Sequence, residues 1–108
     1  MAWIYLLIAS CLEIGWPIGL KVSQAPGRFW PGIIVAVICM TASGVFLWLA
    51  QREIPIGTAY AIWTGIGAAG TFTVGVLIFN DSAGFLRIAS ATFIVLGVIG
   101  LRLSHVAT

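Results

Sequence analysis

One acid in this chain stands inside an apolar run: Glu13, between Leu12 and Ile14. An ionised carboxylate in hydrocarbon costs about 3 kcal/mol on insertion scales unless it is paired or wet, and such residues usually mark ion or proton pathways. A carboxyl group there can hold a proton or a cation but not both easily, so the chemistry it suggests is exchange of one for the other. The bland alternative is a permanently protonated glutamic acid, hydrogen-bonded between helices for structural reasons.

The residues around Glu13 favour exchange. Ser10 and Trp16 lie three positions before and after it, on one helical face, and set a hydroxyl and an indole beside the acid. Further along, Tyr60 and Trp63 are again three apart in the stretch TAYAIW. A cation between aromatic rings and a carboxylate gains from the ring quadrupole as well as from the charge, and the Tyr60 hydroxyl is suited to donate to an ionised acid. Ser43 adds a polar group in the middle of the second apolar run; its structural alternative is a back-bond to its own helix. Trp3, Trp30 and Trp48 fall near segment ends and suit an interfacial belt better than a site.

These side chains require elements that span a membrane. The chain of 108 residues is 61% hydrophobic and 7% charged, with a mean hydropathy of +1.14, outside the range of soluble domains. Charges and turn residues divide it into four apolar segments, at about 2–20, 29–50, 56–79 and 85–104, each near 20 residues and so long enough to cross ~30 Å of hydrocarbon. The connectors KVSQAPGR, QREIP and NDSAG carry most of the charge and leave no room for a soluble domain. Apolar runs without alternation exclude a β-barrel. The expectation is an all-α integral membrane protein, a single four-helix domain over residues 1–108, in which the first apolar stretch is a membrane helix rather than a cleaved signal.

Orientation is nearly balanced. The termini and the second connector share one side, with Arg52 and Arg102, while Lys21, Arg28 and Arg87 share the other. A difference of one basic residue gives the positive-inside rule little to act on, so both orientations are expected, and two copies can pair antiparallel to create the inverted symmetry that larger transporters encode in one chain. Four helices are also too few to shelter a polar pathway from lipid. Gly97 and Gly100, three apart on the fourth helix, are the candidate dimer seam; contact within one chain is the alternative. Pro17 removes the N–H that would bond the Glu13 carbonyl, and Gly65, Gly67 and Gly70 loosen the third helix. Gly65 and Gly67 are candidate hinges, or else allow close packing.

Taken together, Glu13 with Trp16 and Gly19-Leu20-Lys21, the stretch PIGTAYAIWTGIGAAG from Pro55 to Gly70, and the closing LGVIGL resemble the small multidrug resistance family, in particular its guanidinium-exporter branch. The likeness runs along the whole chain. It implies an antiparallel, dual-topology homodimer in the bacterial inner membrane that exchanges protons for a cation through paired glutamates. Position by position, it implies that Glu13 binds both proton and substrate, and that Trp16, Ser43, Tyr60 and Trp63 line the site. Trp16 points to guanidinium, because the branch that exports bulky quaternary ammonium drugs generally has a small residue there. Guanidinium itself is planar, weakly hydrated and forked, which suits a carboxylate and ring walls. Three departures stand out: Ser10 where guanidinium exporters usually have Gly, Pro17 where they usually have Ala, and one additional residue in helix two before Ser43. The Ser10 hydroxyl is placed to bond larger guanidines such as guanylurea, or to compete with Trp16 for Glu13.

Other function classes are narrower. An exporter of quaternary ammonium cations would use the same acid in a looser cage, and one subunit of a heterodimer would need a second chain. With scattered basic residues there is no track for a nucleic acid. No cofactor or metal site is expected, and an enzyme is not, since the one histidine, His105, lies in a polar tail and no nucleophile has a positioned base. Cys11 and Cys39 read as small buried apolar residues.

Overall fold

The computed structural model describes residues 1–104; His105 lies outside the described residues. Four helices follow one another: α1 (Ala2–Ser23), α2 (Phe29–Ala50), α3 (Ile56–Ile78) and α4 (Phe85–Ser104), each long and apolar enough to cross a membrane. In lipid only internal hydrogen bonds can satisfy these backbones, so continuous apolar runs fold as helices despite their many β-branched residues and glycines.

Helix ends show where local chemistry adjusts the expected limits. α1 continues three residues past Leu20 to Ser23. Lys21 then occupies its last turn, where a cation offsets the helix dipole, and the Ser23 hydroxyl donates to Leu20 O at 2.6 Å. α3 stops at Ile78 because Asn80 turns left-handed (φ 59°) and both Phe79 N (3.0 Å) and Asp81 N (2.9 Å) donate to Gly75 O. Two donors thus converge on one carbonyl of the last turn and close the helix end. α1 remains helical through Pro17.

Packing is unequal. α1 lies against α2 most extensively and against α3 next; the backbone of α4 packs closely on α3 alone and reaches α1 only through side chains, Arg102 over the Trp3 ring. The closest approach is that of α1 and α2, where two glycines meet. A Cβ on Gly19 would stand 2.8 Å from Ala36 N and 2.9 Å from Gly32 O, and a Cβ on Gly32 would run into the backbone of Ser23 and Gly19. Small residues at such crossings let backbones touch, which is how helices associate when lipid is as apolar as their side chains. A second cluster, of Ala2, Leu6, Ala50, Ile54, Ala59 and Ile62, closes the end of the molecule that carries the second connector. The result is a slab of 50 × 34 × 16 Å rather than a rounded bundle. None of the residues of α4 is buried.

Candidate functional site

α1 presents Glu13 toward α3, half-buried. The Trp16 indole N–H, one turn further along, donates to Glu13 Oε1 at 2.6 Å. The bond fixes the carboxylate rotamer from within the same helix. Gly67 of α3 makes room for it: a Cβ at that position would lie 2.5 Å from Glu13 Cγ. The acid therefore rests against bare backbone of the neighbouring helix, and Pro17 leaves its own carbonyl without a helical donor.

A second polar centre fixes the elements around the acid. The buried Ser43 hydroxyl of α2 donates across to Ala9 O of α1 at 2.7 Å and accepts the Trp63 indole N–H of α3 at 2.9 Å. One hydroxyl thus joins three helices, and Ala9 stands one turn before Glu13. Ser43 does not bond back to its own helix; Ser10 does. Its hydroxyl is wholly buried and donates to Leu6 O at 2.7 Å. The two placements expected for the Ser10 hydroxyl, on a guanidine or on Glu13, both differ from this one. A serine in a helix always has the carbonyl four residues back within reach, and in a dry interior that bond is the nearest means of satisfying its proton.

Tyr60 and Trp63 stack obliquely, with ring centroids 5.5 Å apart and planes at 56°. Trp63 is partly buried through its bond to Ser43, whereas Tyr60 is 55% exposed and makes no hydrogen bond to Glu13 among the described residues. The candidate hinges pack on two sides. Gly67 receives Glu13, and a Cβ on Gly65 would stand 2.6 Å from Val98 of α4. Gly97 and Gly100 face open space on α4, with nothing within 4 Å of an added Cβ. Sequence reasoning did not assign Gly67 its place under the acid. The signal was present, since Gly67 follows Trp63 by four residues and so shares its helical face.

Replacing Ser43 with Ala removes both the donor to Ala9 O and the acceptor for Trp63. We expect thermal stability in detergent to fall by about 1–2 kcal/mol, because one buried indole N–H is left unpaired. Ser43→Thr, which keeps the hydroxyl, should restore most of it. Equal stability of Ser43→Ala and the wild type would show that this node does not hold the helices together.

The small multidrug resistance profile, described as "Small Multidrug Resistance protein", matches residues 1–99. The chain belongs to the small multidrug resistance family. Among its relatives, a guanidinium exporter of Escherichia coli (strain K12) is 43% identical over 104 residues, covering 96% of this chain and 98% of its own. A guanidinium exporter of Yersinia pseudotuberculosis serotype I (strain IP32953) is 48% identical over 104 residues, covering 96% and 99%, and one of Citrobacter freundii is 46% identical, covering 96% and 98%. This small multidrug resistance protein is therefore a transporter rather than an enzyme, and with its four spanning helices a multi-pass protein of the bacterial inner membrane.

Proposed function

We propose that this protein exports guanidinium and small substituted guanidines, guanylurea among them, in exchange for protons that compete for Glu13. The observation that carries the reading is the Trp16 to Glu13 bond of 2.6 Å in the middle of a membrane helix. It holds a charge acceptor in one orientation where water is scarce, and the relatives named guanidinium exporters lend the substrate class.

The working unit in this reading is an antiparallel pair of chains that meet along the Gly97 and Gly100 face of α4, so that two Glu13 carboxylates share one chamber. A guanidinium ion lays its donor fork on a carboxylate and its flat face on the rings of Trp16, Tyr60 and Trp63. When protons enter from the acidic outside, the carboxylates become neutral and the cation leaves. The protonated dimer then returns, with α3 bending at Gly65 and Gly67 to change the side of access. Coupling follows because a carboxylate carries the proton or the cation, and only a loaded pair changes sides.

Solid-supported-membrane currents from the reconstituted chain alone test this. Guanidinium is expected to give currents, guanylurea likewise, and tetrapropylammonium little or none. The guanidinium concentration for half-maximal current should rise with falling pH by up to about tenfold per unit, the limit for one proton competing with one cation. A half-maximal concentration independent of pH would remove the competition. Currents that appear only with a second type of chain would replace the homodimer with a heterodimer.

A further inference from the structure

A groove on the lipid-facing side of the slab, away from Glu13, is built like a lipid site. The backbones of α1 and α4 stand apart, and the space between them, floored by α3, forms a cavity of about 280 Å³ lined by Leu6, Leu7, Ile62, Ile66, Val98 and Ile99. It continues toward the middle of the membrane into a second cavity of about 340 Å³, which shares Ile66, Val98 and Ile99 and adds Gly65, Ala69 and Gly70. Below the mouth the lining is apolar apart from Thr73, whose hydroxyl donates to Ala69 O of its own helix at 2.8 Å. At the outer mouth stands Arg102, in the last turn of α4, with its guanidinium 4.2 Å from the centre of the Trp3 ring. Arg102 is exposed, and among the described residues no carboxylate pairs with it.

We propose that this groove holds an acyl chain of an anionic phospholipid, whose phosphate is bound by Arg102. Charge and depth select that occupant. Arg102 and Trp3 lie at the ends of their helices, the level at which lipid phosphates sit and at which Trp and Arg anchor membrane proteins. A guanidinium there, with no carboxylate partner among the described residues, is complementary to a phosphate and offers it two parallel donors. Below the charge the groove offers an almost wholly apolar surface, its one hydroxyl, that of Thr73, being bonded to its own helix; such a surface accepts a hydrocarbon tail and rejects a polar substrate. The geometry of α4 also argues against a second copy as the occupant. At 100° per residue, Val95, Val98, Ile99 and Arg102 face the groove, while Gly97 and Gly100 fall on the opposite side of the helix. Copies that meet through the glycines leave the groove open to lipid.

Native mass spectrometry of the purified protein, supplied with equal amounts of phosphatidylglycerol and phosphatidylethanolamine, tests the proposal. The wild type should retain phosphatidylglycerol preferentially. Arg102→Gln should lower that retention by about fivefold, toward the phosphatidylethanolamine level, while Arg52→Gln, the same loss of charge on the same membrane side, should leave it unchanged. Val98→Trp, which fills the groove, should lower retention of both lipids. Equal losses in Arg102→Gln and Arg52→Gln would reduce the effect to general surface charge and overturn the site, as would Arg102→Gln retaining lipid like the wild type. A disulfide joining Ile99→Cys residues of two copies would show the groove to be covered by protein instead.

Discussion

Glu13→Gln is expected to abolish proton-coupled guanidinium transport while leaving the protein folded. The amide is nearly isosteric and keeps a carbonyl oxygen to accept the Trp16 indole N–H, now bonded at 2.6 Å to Oε1. It also still fits against Gly67, where the side chain has room only because that residue lacks a Cβ. The variant loses its charge and its proton. Hydrogen bonds to a charged group contribute ~1.5–3 kcal/mol each, so a guanidinium fork deprived of its carboxylate should bind at least about 100-fold more weakly. With no group left to titrate, a pH gradient should drive no guanidinium current at all. Full gradient-driven uptake by Glu13→Gln in liposomes, at the rate of the wild type, would sink the assignment of Glu13 as the exchange site.

The second large effect is structural. Gly32→Ala places a methyl group against the backbone of Ser23 and 2.6 Å from Gly19 O. Backbone cannot swing aside as a flexible side chain does, so α1 and α2 must separate along their main contact. Overpacking of a tight core typically costs 1–3 kcal/mol, and a clash with the main chain of α1 at both Gly19 and Ser23 should reach about 3 kcal/mol. We expect a large fall in melting temperature and poor recovery of monodisperse protein. Gly44→Ala on the same helix is the control: nothing lies within 4 Å of its added Cβ, and its stability should change by less than about 0.5 kcal/mol. Equal stability of the two variants would mean that α1 and α2 are not held at this distance.

Much of this was legible in the sequence because the bilayer imposes few and strong rules. The four spans follow from charge-free length, and an acid in lipid identifies itself by its cost. What could not be read was the direction of individual polar groups. Ser10 and Ser43 are the same residue type in similar apolar settings, yet one bonds to its own helix and the other ties three helices together. The difference lies in the partners: Ser43 meets Ala9 O and the Trp63 indole of neighbouring helices, whereas Ser10 bonds Leu6 O of its own helix. Such neighbours belong to the tertiary arrangement and leave no mark within one helix. The left-handed Asn80 that ends α3 is an intermediate case, since asparagine tolerates that conformation but does not dictate it. The seat of Glu13 was partly legible. Glycines at 65, 67 and 70 signal bending, close contact or both, and Gly65 and Gly67 each pack closely against a different helix.

The unburied α4 has a consequence for how such a protein is maintained. A last helix that buries none of its residues and packs its backbone on a single neighbour leaves part of the molecule's stability to be supplied from outside the chain. Where that supply is a second copy, the amount of folded, working protein becomes a matter of mass action in two dimensions, rising with the number of chains that share a membrane. Synthesis rate would then set not only how much transporter exists but what fraction of it is assembled. A cell producing a few chains would hold mostly isolated halves, and activity would rise faster than protein as production increased.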